Sequence, residues 1–300
     1  MILSSINIYF ERVNIMKKIL CLALVSVMML ACVLSASAAA TDGYVTDGLE
    51  AFYDAAENTE ATTWKDLSGK GNDIVDLPNT DTCKFVDGAY LNTATKIYFP
   101  SGIPAIINEK DTWTTEFVFG NVDVTGVMWG TLVNCNNDAY SLFYLVSAGN
   151  LVLKNNGSTA NPRPTYTLPG GFADLSNKTV SVTFENGVAS KIYIDGVEVA
   201  SAVPAAALTI GDNFFFGHDD ANKSHTTEFK AMRFYSRALT ADEIAKNVAA
   251  DKAVDAPITQ APDPEDPITQ PPATGDAGMV FALIALVAMA GVVVVKKNAR

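Results

Sequence analysis

An all-β sandwich of two antiparallel sheets is the fold class predicted for residues 41–253, and three observations predict it. Short runs of alternating apolar and polar residues recur along this stretch, as in Val180-Ser181-Val182-Thr183-Phe184, the period-two pattern of a half-buried strand. Residues 191–194 and 197–200 flank Asp195-Gly196, a strong hairpin signal because both central residues of a tight two-residue turn must accept positive φ. No helical period intervenes between successive runs until the end of the stretch, and strands repeated in this way build a sandwich. The length suits one well-buried domain and is too short for two large ones.

Taken in chain order, the first element lies outside that domain. The chain has 300 residues and a net charge of −12, yet its mean hydropathy is +0.17, and two concentrated apolar segments account for the difference. The first follows Met16, where Lys17 and Lys18 precede the apolar residues 19–34, and Ala36-Ser37-Ala38 and Ala38-Ala39-Ala40 then offer small residues at signal-peptidase spacing. Residues 1–40 are therefore expected to be an N-terminal extension and an export signal, with Met16 the expected start, since Glu11 and Arg12 do not suit a basic leader. Met29-Leu30-Ala31 before Cys32 also allows a lipoprotein reading, but its first position is poor and the alanine sites are cleaner.

Within residues 41–253, further strands are expected over residues 113–118, 127–133, 140–146, 150–153, 214–216 and 229–235. One short terminal helix is expected from Thr240, where Glu243 three residues on completes a capping box and Ile244 and Val248 share a face.

The residues then carry a specific resemblance. Gly48-Leu49-Glu50-Ala51-Phe52-Tyr53-Asp54, followed by Trp64-Lys65-Asp66-Leu67-Ser68-Gly69-Lys70-Gly71-Asn72-Asp73, resembles the opening of bacterial laminin-G-like, concanavalin A-like domains. Phe85-Val86-Asp87-Gly88-Ala89-Tyr90-Leu91 is similar to the family's next strand, and Ile192-Tyr193-Ile194-Asp195-Gly196 to its central hairpin. The closing Phe234-Tyr235-Ser236-Arg237-Ala238-Leu239-Thr240-Ala241-Asp242-Glu243-Ile244 is the most characteristic piece. The resemblance implies a jelly-roll sandwich of two curved sheets. The motifs themselves read as structural: Gly69, Gly71 and Asn72 permit tight turns, and Trp64, Phe85, Phe234 and Tyr235 suit a core.

Relatives with this sandwich include glycoside hydrolases, whose retaining members need two carboxylates about 5 Å apart. No Glu-x-Asp-x-x-Glu run occurs here. Glu116 reads as a solvent-facing strand residue, and Asp219-Asp220 and Asp242-Glu243 are adjacent pairs whose side chains diverge. His218 and His225 are the only imidazoles, and no G-x-S-x-G nucleophile elbow is present. The expectation is a non-catalytic extracellular binding module, glycan-binding or adhesive; the alternatives are a protein-binding adhesin, a structural spacer, or a hydrolase without a recognisable motif. Its partner would be an extracellular glycan or a host or cell-surface protein, and the acidic balance argues against nucleic acid. Candidate ligand-binding residues are Trp129, Tyr140 and Tyr144 with Asn134, Asn136, Asn137 and Asp138, although Trp129 also suits a core. Many relatives carry calcium, so Asp66, Asn72 and Asp73, and Asp212, Asp219 and Asp220, are candidate metal ligands; turn closure by Asp66 and Asn72 is the competing reading. Cys83 and Cys135, the two cysteines of the domain, permit either a bridge or two buried thiols.

Residues 254–273 are rich in proline and acid and repeat Pro257-Ile258-Thr259-Gln260 as Pro267-Ile268-Thr269-Gln270, which suits an extended stalk. Residues 274–300 follow, with an uncharged apolar span at 278–295 near the lower length limit for a transmembrane helix and a basic tail of Lys296, Lys297 and Arg300. Together with Pro272, Thr274 and Gly275, this order resembles the cell-wall sorting signal of Gram-positive sortase substrates, with Pro271 where the common pentapeptide has leucine. The resemblance implies a sortase-like transpeptidase as partner and display on a Gram-positive-type cell wall; a plain C-terminal membrane anchor is the alternative.

Overall fold

The computed structural model describes residues 41–123, 128–135, 139–145, 148–155, 162–220, 223 and 225–254. The expected export signal, most of the stalk, the apolar span and the processing residues Pro272, Thr274 and Gly275 lie outside the described residues, as do Asn136, Asn137 and Asp138. No helix among the described residues is long and apolar enough to cross a membrane.

Two antiparallel sheets carry the fold. The eight-stranded sheet contains β1 (Leu49–Asp54), β2 (Cys83–Val86), β3 (Ala89–Thr93), β5 (Thr112–Asp123), β10 (Thr179–Glu185), β11 (Ala189–Ile194), β12 (Val197–Ala202) and β14 (Thr226–Tyr235), in the order β12-β11-β10-β5-β14-β3-β2 with β1 also on β14. The six-stranded sheet contains β4 (Ile97–Tyr98), β6 (Trp129–Cys135), β7 (Tyr140–Leu145), β8 (Asn150–Asn155), β9 (Thr165–Thr167) and β13 (Phe214–Phe216), in the order β4-β13-β6-β7-β8-β9. A six-residue helix, α1 (Gly102–Ile107), and a 14-residue helix, α2 (Ala241–Val254), complete it with a short 3-10 turn at Phe172–Leu175.

Alternation decides which side chains meet between the sheets. Trp113, Phe117 and Phe119 of β5, Val180, Val182 and Phe184 of β10, and Met232 and Phe234 of β14 point inward and meet Phe214, Phe216, Leu142, Leu151 and Leu153 of the other sheet. Trp113 stacks on Phe184 with ring centroids 4.9 Å apart, and Trp64 meets Phe85 edge-on at 5.4 Å. The expected core places of Trp64, Phe234 and Tyr235 are observed, with Phe85 partly buried against the core. Asp195 and Gly196 both have positive φ, 50° and 83°, as a tight β11–β12 hairpin demands. A second Asp-Gly pair of the same kind, Asp87-Gly88, turns residues 83–93 into the two strands β2 and β3 where a single strand was expected.

The opposite parity of the eight-stranded sheet is covered as well. Helix α2 begins at the expected capping box, with the Glu243 N–H donating to Thr240 Oγ1 and the Thr240 N–H donating to Glu243 Oε2. It lies with Tyr44 and Val45 over the outer face of β5 and β14, where Ile244 and Val248 join Phe52, Val118, Tyr193 and Tyr235 in a second apolar cluster.

That helix overturns the expectation for Glu116. Glu116 is not solvent-facing: it is wholly buried beneath α2 with Arg233, which stands opposite it on β14. The Arg233 guanidinium donates through Nε to Glu116 Oε2 at 2.7 Å and in fork geometry to both Asp251 oxygens of α2 at 2.7 and 2.9 Å. Ser181 Oγ and Asn247 Nδ2 donate to the remaining capacity of Glu116, and Asn247 Oδ1 accepts the Val45 N–H. Burial works against the charge on Arg233, but the Asp251 and Glu116 carboxylates outweigh it and hold its pKa well above the ordinary value. Cys83 and Cys135 are free buried thiols, with Cys83 Sγ donating to Thr95 Oγ1 and Cys135 Sγ to the Tyr140 carbonyl.

Candidate binding site

With α2 on one outer face, an accessible concave feature among the described residues is a cleft where the edges of the two sheets approach each other. There β9, the last strand of the six-stranded sheet, approaches β12, the last strand of the other, and among the described residues neither pairs with a further strand. The cleft has a volume of about 500 Å³, within the range of small-ligand pockets. Tyr166, Ile194 and Val199 form an apolar wall that continues outward from the core, and Val197 extends it into solvent at 64% exposure. Asp174, Ser176, Lys178 and Asp195 supply the polar lining.

Each polar group is placed by a local turn. Asp195 occupies the first central position of the β11–β12 turn, where Oδ1 accepts the Thr179 N–H at 3.1 Å and Oδ2 accepts from Lys178 Nζ at 2.7 Å. Asp174, in the 3-10 turn, accepts the Gly170 N–H at 2.7 Å. Ser176 caps that turn and accepts the Val122 N–H through Oγ. The Asp195-Gly196 signal was legible in the sequence; its juxtaposition with Tyr166 was not, because the two lie on different sheets.

The residues singled out from sequence are placed elsewhere. Tyr140 is a core residue and cannot offer a sugar platform: it is wholly buried, its ring meets Trp113 and Phe214, and its hydroxyl pairs with Thr115 Oγ1. Asn134 is likewise buried, with Oδ1 accepting the Cys135 N–H. Trp129 presents itself at the start of β6 with 37% exposure, and Tyr144 lies on β7. On the outer face of the six-stranded sheet, the half-exposed Tyr98 sits 5.5 Å from Phe215, over which Lys96 Nζ stands at 4.7 Å.

Of the candidate metal ligands, Asp66, Asn72 and Asp73 lie together in one loop, where protein groups engage them. Asp66 closes its loop by accepting the N–H groups of Phe52, Ser68 and Asn72, and the Asn72 amide donates to the Glu50 carbonyl. Asp73 accepts the Asp66 N–H and pairs with Lys65 at 3.0 Å. Asp219 pairs with Lys96 at 3.3 Å, the Asp220 N–H donates to His218 Nδ1, and Asp212 is exposed in the loop before β13. Calcium wants six to eight oxygen ligands, whereas the Asp66, Asp73 and Asp219 carboxylates face N–H donors or ammonium groups. Among the described residues no three His, Cys, Asp or Glu side chains are grouped to hold a metal.

Two antiparallel layers, a helix-covered outer face and a cleft at the open edge define a lectin-like β-sandwich. The chain belongs to the concanavalin A-like lectin/glucanases superfamily, whose Laminin_G_3 family model matches residues 84–245. Among solved structures, it is similar to Trypanosoma rangeli sialidase at 14% identity and a TM-score of 0.50, covering 69% of this chain and 33% of that one. It is similar also to the binding domain of botulinum neurotoxin DC in complex with SialylT, at 13% identity and a TM-score of 0.50, covering 68% of this chain and 52% of that one. The same neurotoxin domain in complex with rat synaptotagmin II gives a TM-score of 0.51 at 13% identity, covering 69% and 52%. The chain thus spans about a third of the sialidase and about half of the neurotoxin domain, and at these identities the likeness is one of fold. No curated protein matches the chain by sequence.

Proposed function

We propose that residues 41–253 are a non-catalytic glycan-binding module displayed outside a bacterial cell, and that the ligand enters the cleft between β9 and β12. The observation that carries this reading is the cleft itself: an aromatic and aliphatic wall suited to the C–H face of a sugar ring, opposite several side chains that can meet hydroxyl groups. The neurotoxin domain bound to SialylT is a relative in fold that recognises a glycan, which supports the class of ligand only. The non-catalytic part is supported by the state of two acids outside the cleft. Glu116 is sealed under α2 by Arg233, and Glu243 is engaged by both terminal nitrogens of Arg237, so neither stands ready to protonate a leaving group.

Display outside the cell rests on the basic leader, the alanine cleavage sites and the order of proline-rich stalk, Pro272-Ala273-Thr274-Gly275, apolar span and basic tail. A protein-binding role is the second reading, favoured by the exposed Tyr98, Met128 and Trp129 on β4 and beside and on β6. A glycan array probed with the purified protein tests the first reading. Binding to a defined set of sugars, lost in a Tyr166→Ser variant that retains its β-sheet circular dichroism, is the expected result. An array without signal, with a protein partner recovered through Tyr98 or Trp129, would turn the assignment to the second reading.

A further inference from the structure

We infer that the cleft selects uncharged sugars and rejects sugars that carry a carboxylate. This inference rests on the glycan-binding reading above and adds the charge class of the ligand. Two carboxylates, Asp174 and Asp195, line the cleft with one ammonium, Lys178. The ammonium is already matched, since Lys178 Nζ lies 2.7 Å from Asp195 Oδ2. The local charge left over is therefore negative, and the whole chain is negative too, at −12.

The backbone donors point the same way. Recognition of a carboxylate requires N–H groups, a guanidinium or an ammonium aimed at it. Here the Gly170 N–H donates to Asp174 Oδ2 and the Thr179 N–H to Asp195 Oδ1, so two backbone donors beside the cleft already serve the protein's own carboxylates. Lys178 keeps further N–H donors and Ser176 its hydroxyl, but the net charge of the polar lining is negative, and its carboxylate oxygens can each take more than one hydrogen bond. Such a surface suits the hydroxyl groups of a neutral pyranose, whose C–H face would lie on Tyr166 and Val197. An added ligand carboxylate a few ångströms from Asp174 weakens binding by about tenfold at low salt, from the Coulomb energy of two like charges in a largely aqueous setting.

The experiment uses matched glycan pairs on one array, sialylated against desialylated and uronic acid against the corresponding neutral sugar, followed by titration of the best pair at low and high salt. The expected result is binding of the neutral member about tenfold tighter, with the ratio shrinking as salt screens the cleft. Asp174→Asn should narrow the ratio, and Tyr166→Ser should remove binding of both members. Equal or tighter binding of the acidic members, or a preference indifferent to salt and to Asp174→Asn, overturns the inference while leaving glycan binding in place. Full binding in Tyr166→Ser puts the ligand outside the cleft and overturns it as well. Binding of neither member of any pair overturns the glycan reading and the inference together.

Discussion

Replacing Arg233 with methionine exposes what the buried ion network contributes. Methionine fills much of the aliphatic volume but removes three charge-assisted hydrogen bonds of 2.7, 2.7 and 2.9 Å. It leaves Glu116, wholly buried, and Asp251, nearly so, facing each other without a cation. Removing one partner from a buried ion pair typically costs about 3–5 kcal/mol, against a total stability of about 5–15 kcal/mol for a domain. Arg233→Met is therefore expected to lose about 3 kcal/mol or more in urea unfolding followed by far-ultraviolet circular dichroism. Adding Glu116→Gln and Asp251→Asn to Arg233→Met should recover at least half of the loss, because no unpaired charge then remains under α2. A loss below about 1 kcal/mol would refute the account, since it would mean that water reaches the network.

Two further outcomes test other parts of the molecule. Burial pulls His225 down to about 4 from an ordinary value of 6.5, so its folded-state pKa lies below its unfolded one. The stability it contributes is present above about pH 6.5 and is lost as the pH falls toward 4; His218, lowered by burial and then by Lys223 and Lys96, acts with the same sign. Thermal melting should fall across that window, and His225→Gln should flatten the fall while lowering stability near neutrality through the lost bond to Thr227 Oγ1; an unchanged slope speaks against the assignment. For the C-terminal region, mass analysis of protein released from the cell wall should find a chain ending at Thr274, whereas recovery only from membranes with Lys296 and Lys297 still attached favours a simple membrane anchor.

Residues whose environment is local were legible from the sequence. Asp195-Gly196 specified its own turn because only a few residue types tolerate positive φ, Thr240 and Glu243 satisfied each other's N–H groups at a helix start, and alternation marked β5, β10 and β14 as strands. Alternation states that neighbouring side chains point to opposite sides; it does not state what covers each side. Glu116 was assigned to solvent because the partner that buries it, α2, joins the sheet more than a hundred residues later and brings Asn247 and Asp251 with it. Tyr140 read as a sugar platform for the same reason, since only the packing of β7 against Trp113 and Phe214 turned its ring inward. The cleft is the extreme case: Tyr166 and Val197 belong to the edge strands of two different sheets, Asp174 to the 3-10 turn and Lys178 to the segment before β10, and no periodicity or motif links them. Strand positions follow from short-range sterics and hydrogen bonding, whereas a site at the seam of two layers exists only once long-range packing has set one sheet edge beside the other.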